Sequence, residues 1–167
     1  MSGPELIWLR TSGWSNSDLP VLVYGHGLPT PDVDTVEAML ARNGWRPDWR
    51  DGVYPFHHFH STAHEVLACV SGSAELMLGG PAGRPLGIAA GDLLVLPPGT
   101  GHCRIQASGD FLLVGAYPNG QDWDVCREPA DAAALLRIAA VPTPRADPLT
   151  GEDGPLALHW RGTARST

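Results

Sequence analysis

The sequence predicts a mostly β protein: an antiparallel sandwich or barrel of six to eight short strands, with one short helix before it and one after. Three observations carry this expectation. Gly 20 and Pro 16 make up about a fifth of the 167 residues, and so many turn formers in one chain favour short strands over long helices. From Gly52 to Pro118, apolar runs of roughly four to eight residues are separated by the turn signals "SGS", "GGPAGR", "AAGD", "PPGTG" and "SGD", the spacing of an all-β domain. A chain of 167 residues with 43% apolar and 17% charged content supplies one full core, not two.

In chain order, "LIWLR" and "LPVLVYGH" predict two N-terminal strands separated by the polar turn "TSGWSNSD". "DVDTVEAMLARNGW" predicts a short amphipathic helix: Asp32 or Asp34 caps it, Val36, Met39 and Leu40 form its apolar stripe, and Asn43-Gly44 stops it. The β region follows as Val53–His60, His64–Val70, Ala74–Leu78, Pro85–Ala89, Leu93–Leu96, His102–Ala107 and Phe111–Tyr117. Beyond Pro118, "NGQDWD" is a loop and "PADAAALLRIAAV" a second helix with Pro129 near its first turn. The tail is irregular until "LALHW", which reads as a last strand. The organisation is one domain in three parts: residues 1–51, the barrel at 52–118, and a C-terminal loop, helix and tail at 119–167.

Charge narrows the partners. The net charge is −7, the chain has no lysine, and its arginines are scattered, so nucleic acid is excluded as an expected partner. Apolar runs such as "LLVLPP" and "FLLVGAY" fall far short of the roughly 20 residues that span a bilayer. The start "MSGPELIWLR" has neither the basic nor the apolar region of a secretory signal. Cys69, Cys103 and Cys126 form no CxxC pair and read as reduced thiols. A cytoplasmic protein is expected.

The chemistry concentrates in "HHFHSTAHE", which holds four of the seven histidines. Residues two apart on a strand point the same way, so His58 and His60 can lean toward one ion while His57 faces away. After the reversal at "STA", an antiparallel strand can bring Glu65 to the same point, which turns His64 outward. A fourth donor must come from elsewhere, and His102, directly after a Pro/Gly turn, is the candidate. Three imidazoles and a carboxylate suit one divalent first-row metal (Fe, Mn, Ni or Zn) with one or two positions open.

Parity also places Arg104 and Gln106 on the face of His102, and Tyr54 and Phe56 on that of His58. Arg104 is the candidate anchor for an anionic small-molecule ligand, with Tyr54 and Gln106 as further substrate contacts. An Arg paired to a carboxylate at the barrel rim is the competing role. Leu67 and Cys69 share the parity of Glu65 and fit the core. Trp45, Trp49 and Trp123 are expected to pack the flanking segments onto the barrel. No base is set against any cysteine, and no catalytic acid or base stands out beyond the ligands.

Gly52-x5-His58-x-His60-x4-Glu65-x6-Gly72 and Gly91-x5-Pro97-x-Gly99-x2-His102-x3-Gln106 together resemble the two cupin motifs, with Gln106 where the second usually has Asn. The phrases "ARNGW", "FHHFHSTAHEVL", "LPPGTGHCR" and "VGAYPNGQDWD" are similar to small single-domain bacterial cupins of the YjlB-like kind. The resemblance implies a double-stranded β-helix barrel, metal ligands His58, His60, Glu65 and His102, and a homodimer, for which the two N-terminal strands could pair across subunits. It is compatible with a metal-dependent enzyme, dioxygenase-like or isomerase-like, and with a non-catalytic metal-dependent binding or sensing protein. The motif glycines Gly52, Gly72, Gly91 and Gly99 are expected at tight turns or positive φ.

Overall fold

The computed structural model describes residues 3–9 and 13–161. Arg10 of the expected first strand, part of the turn after it, and residues 162–167 of the tail lie outside the described residues. Nine strands form two antiparallel sheets: β1 (Glu5–Ile7), β2 (Val21–Tyr24), β3 (Trp45–Asp51), β4 (Glu65–Ser71), β5 (Ser73–Leu78), β6 (Arg84–Ala89), β7 (Leu93–Leu96), β8 (His102–Ala107) and β9 (Leu112–Pro118). One sheet has the order β1-β2-β7-β4-β9-β3 and the other β6-β5-β8. The helices are α1 (Val33–Arg42) and α2 (Ala132–Ala140), capped by Asp32 on the Thr35 amide and by Asp131 on the Ala134 amide. Among the described residues no helix is long and apolar enough to cross a membrane.

The six-stranded sheet is covered on both faces, and this decides where the functional side chains point. On β4, Val66, Ala68 and Val70 pack with Val36 and Leu40 of α1 and with Leu156 and Trp160 of the tail. Leu67 and Cys69 pack the opposite way, against Leu76, Leu78 and Ile88 of the smaller sheet. Glu65 has the parity of this second set. Strict alternation with both sides covered explains why β4 and β7 read as continuous apolar runs.

Several expectations change. Val53–His60 is not a continuous strand; it is an extended segment held by isolated bridges between His58 and His102 and between Phe59 and Cys126. In its place β3 appears in "WRPDWRD", which carries no apolar alternation. Its Pro47 is tolerated because β3 is the edge of the sheet. The N-terminal strands pair within the chain, β1 on β2 and β2 on β7, with β1 at the edge of the sheet. "LALHW" is not a strand but part of a wide helical turn, Ala157–Arg161, and among the described residues of the tail the strands are the two-residue pair β10 (Ala146–Asp147) and β11 (Gly151–Glu152). Gly72, Gly91 and Gly99 have φ of 69°, 101° and 90°, whereas Gly52 is not among the positive-φ residues.

The tail is fastened by one buried carboxylate. Asp147 is fully buried and accepts from the amides of Leu149, Thr150 and Leu156 at 2.8, 3.1 and 3.1 Å and from the Tyr24 hydroxyl. Trp45 Nε1 donates to the Ala146 carbonyl at 2.9 Å. These bonds lay the tail over α1 and the outer face of the six-stranded sheet, so the position expected to face outward is covered.

His64 is that position. It points away from His58, as alternation requires, but it is 1% exposed. Its Nδ1–H and backbone amide both donate to Gln121 Oε1, at 3.1 and 3.0 Å, and its ring lies 5.2 Å from that of Trp160. Burial lowers its pKa from 6.5 to about 4. The unfolded chain therefore takes up this proton at higher pH than the fold does. The stability tied to neutral His64 is complete above about pH 6.5 and is lost as the pH falls toward about 4. The unfolding free energy of the native chain, read by denaturant titration at each pH, should fall more steeply across that interval than that of His64→Gln, by an amount on the order of 1–3 kcal/mol; parallel pH profiles of the two proteins would remove His64 as the cause.

Candidate metal centre

Two segments bring three imidazoles together. The extended segment carrying His58 and His60 lies along β8, where the amides of His58 and His102 exchange bonds with each other's carbonyls at 3.2 and 2.9 Å. Phe59 turns the opposite way, is fully buried, and bonds Cys126 through both backbone groups at 2.9 Å. The ring of His102 sits 4.0 Å from that of His58 and 5.3 Å from that of His60. One nitrogen from each of the three lies within 4.8 Å of the others, and all three residues are buried. His57 and His64 are not part of the group.

The hydrogen bonds fix which nitrogen each ring presents. His58 Nδ1 meets the Phe56 carbonyl at 3.0 Å, His102 Nδ1 the Thr100 carbonyl at 2.9 Å, and His60 Nδ1 the Asp124 carbonyl. A carbonyl only accepts, so each Nδ1 carries the proton and each Nε2 offers a lone pair. Asp124 is itself held by the amide and hydroxyl of Ser61, and Arg137 of α2 donates to the Ser61 hydroxyl at 2.8 Å. The second helix thus braces His60 from behind.

Glu65 lies 3.1 Å from both His60 Nε2 and His102 Nε2, through Oε2 and Oε1 respectively. Its Oε1 has no hydrogen-bond partner in spite of that short approach, because two lone pairs face one another there. Burial alone would raise the Glu65 pKa, but with no ion on their Nε2 atoms the imidazoles of His60 and His102 can take up protons, and in that form they hold it well below the usual carboxylate range. For His60, burial pulls the pKa down, and Glu65 and Asp124 more than offset it, so the net shift is upward. His58, farther from the carboxylate, is pushed down to about 3 by burial and by His102. Lone pairs converging on a buried carboxylate call for a cation between them. The donor set fits a divalent metal ion, and the His58–His60–His102 triad could hold one.

Above this cluster opens a cavity of about 520 Å³ whose wall includes Trp49, Tyr54, Arg104, Tyr117 and Trp123. Arg104 is partly buried, and among the described residues its guanidinium makes no ion pair; its amide donates to the Tyr54 carbonyl at 3.0 Å. Tyr54 is 45% exposed and stacked on Phe56 at 4.8 Å, over which Arg127 lies at 3.8 Å. Gln106 is exposed and outside the cavity. The pairing of β5 with β8 slips by one residue between Leu76↔Arg104 and Glu75↔Gln106, and this bulge breaks the alternation that would have put Gln106 beside Arg104. The cysteines take no part: burial pushes Cys69 up to about 11 and raises Cys103 and Cys126.

Two tryptophans expected to pack flanking segments line the cavity instead. The pairing of β3 with β9 slips between Pro47 and Trp49, which turns Trp49 over Gly115. A Cβ on Gly115 would stand 2.1 Å from the indole, so this contact requires glycine. Trp123 donates to Asp48 Oδ2 at 2.8 Å and stacks on Tyr117 at 5.8 Å. Tyr117 reaches Glu65 Oε2 at 2.7 Å, and burial followed by the Glu65 charge raises its pKa. Parity on β9 could have found Tyr117, because Leu113, which packs in the interior, lies four residues before it. Trp49 could not be found without β3.

Two antiparallel sheets closed around a histidine-lined interior, with both spaced motifs at the end that carries the histidine cluster, make this a cupin barrel. No family model matches the chain. It is 35% identical over 150 residues to an uncharacterized protein of Bacillus subtilis strain 168, YjlB, across 87% of this chain and 88% of the relative. The chain belongs to the YjlB-like family of cupin proteins. Among solved structures it is similar to a DUF861 family protein of Thermotoga maritima, with 20% identity, TM-score 0.37, and coverage of 57% of this chain and 96% of the other. The 11S allergen of Cocos nucifera has 14% identity and TM-score 0.40, over 80% of this chain and 34% of that one. A deletion mutant of Bacillus subtilis oxalate decarboxylase has 18% identity and TM-score 0.31, over 75% of this chain and 30% of that one. At those scores the three structures add no argument about chemistry.

Proposed function

We propose that the chain is a metal-dependent small-molecule enzyme, dioxygenase-like or isomerase-like, holding one divalent first-row metal ion through His58, His60, Glu65 and His102. The observation that carries this reading is the placement of the donors: four buried side chains converge at the floor of a cavity that opens to solvent. A purely structural metal site would be closed on all sides by protein. When bound, the ion would supply Lewis-acid or redox chemistry toward a substrate oxygen or dioxygen.

The chain's own residues define what enters. A volume near 520 Å³ suits a small metabolite. Trp49, Tyr117 and Trp123 keep water from its apolar body, and their polar atoms are already engaged with one another, with Asp48 and with Glu65. Arg104 is left to hold an anionic group by paired hydrogen bonds.

Protein purified without added metal is first analysed for metal, then screened with small carboxylates and diols under air and under argon. Turnover that needs air identifies an oxygenase, and turnover under argon an isomerase. Tight binding without turnover would replace the enzyme by a metal-dependent binding or sensing protein.

Two predictions follow from the assignment. Folded His60→Ala and His102→Ala should lose the equivalent of metal that His57→Ala and His64→Ala retain; a full equivalent at native affinity in either of the first pair removes that residue from the ligand set. Arg104→Lys keeps the charge and loses the fork, so an anionic ligand found in the screen should bind about ten-fold or more weakly with metal content intact. Unchanged affinity beside a lowered melting temperature would give Arg104 a structural role instead.

A further inference from the structure

The cavity above the histidine cluster is lined by charges of both signs that do not meet. Arg104 reaches it from β8 of the smaller sheet, and Asp48 and Asp51 reach it from β3, at the edge of the larger one. Elsewhere Arg46, Arg50, Arg84 and Arg137 each lie beside a carboxylate. Among the described residues Arg104 lies beside none, and neither aspartate lies beside a cation. Each aspartate is fixed through one oxygen. Asp48 Oδ2 accepts from Trp123 Nε1 at 2.8 Å, and Asp51 Oδ1 accepts from the Gly52 amide at 2.7 Å. The second oxygen of each has no protein partner among the described residues. Asp48 is also the residue that the bulge inserts: Pro47 pairs with Ala116 and Trp49 with Gly115, so nothing on β9 stands opposite it. A bulge re-aims a side chain, and this one brings a carboxylate to the cavity wall beside the indole of Trp123.

We propose that this cavity takes a small zwitterion, whose anionic group Arg104 holds and whose ammonium group Asp48 holds, with Asp51 adding negative charge nearby. The inference rests on the reading above that a small molecule binds in this cavity, and goes beyond it in naming the positive end of that molecule. A simple anion drawn to Arg104 would be repelled by the two aspartates, and a simple cation drawn to them would be repelled by Arg104. A molecule with both charges answers both and adds no net charge to the cavity. Both aspartates are exposed, and an ion pair in open water contributes little. Here the ammonium group would also meet indole rings, which attract cations, since Trp49 and Trp123 both line the cavity. Val53 and Leu67 belong to the same lining and suit the short hydrocarbon chain that joins the two charged groups.

The test is calorimetric titration of the protein as purified with glycine, β-alanine, γ-aminobutyrate and ε-aminocaproate. Each is set beside the carboxylate and the amine of the same carbon chain. At least one zwitterion should bind about ten-fold or more tightly than both of its singly charged counterparts. Asp48→Asn keeps an acceptor for Trp123 and removes only the charge. In that variant the affinity for the zwitterion should fall about ten-fold, or ~1.4 kcal/mol, while the matching carboxylate binds as well as before or better. A purely structural role for Asp48 would weaken both compounds alike. Asp51→Asn should act in the same sense with a smaller loss, and decides alone if Asp48→Asn does not fold. Three results overturn the proposal: no compound of the series binds, a carboxylate binds as tightly as its zwitterion, or the variants fail to separate the two. The metal reading fails by a different measurement, the metal analysis of the same preparation. Charge-selective binding to protein without metal would sink that reading and leave this one standing.

Discussion

Glu65 is an ionised carboxylate at the floor of the barrel with 2% exposure. Removing such a charge from water costs several kcal/mol unless opposite charge and hydrogen bonds replace the solvent. Much of the site can be understood as that replacement. His60 and His102 stand 3.1 Å away on either side, and Tyr117 donates from above. The imidazoles are in turn oriented by the carbonyls of Phe56, Thr100 and Asp124. A cation bound among the Nε2 atoms would complete the compensation, which is why metal binding and the stability of this end of the barrel should be coupled.

That constraint reaches well beyond the ligands. The Asp124 carbonyl can hold His60 only because its own side chain is tied to Ser61, which Arg137 of α2 also contacts. The C-terminal helix, remote in sequence, is therefore part of the support of the centre. On the other face of the same sheet, Asp147 plays an analogous role for the tail, with three amides and a hydroxyl around one buried carboxylate. Both faces of β4 are thus organised by buried charge as well as by apolar packing. Asp147 is surrounded by donors, which is the condition for its burial; Glu65 has the Tyr117 hydroxyl and calls for a cation beside it.

Much of the candidate centre was legible in the sequence because it depends on short-range geometry. Alternation selected His58, His60 and Glu65 and set His57 and His64 aside, and the Pro/Gly turn before His102 marked the fourth residue. The same reasoning misplaced Gln106, since one bulged residue in β8 reverses the parity beyond Arg104. It also misjudged the surroundings of His64. Periodicity gives the side of a strand on which a residue lies, but it does not say whether another segment covers that side.

By itself, the sequence determined the antiparallel β architecture, the two flanking helices with the Asp cap of the first, and the donors that face one another. These follow from turn chemistry and from a period of two, both encoded within a few residues. Only the tertiary structure decided the cavity wall. Trp49 enters it through a strand with no apolar alternation, bent by a bulge against a glycine sixty-six residues later in the chain. Tyr117, Trp123 and Arg104 become neighbours of the centre only when β8, β9 and the loop beyond it close the barrel. Such contacts depend on register between strands distant in sequence, and no local pattern carries that information.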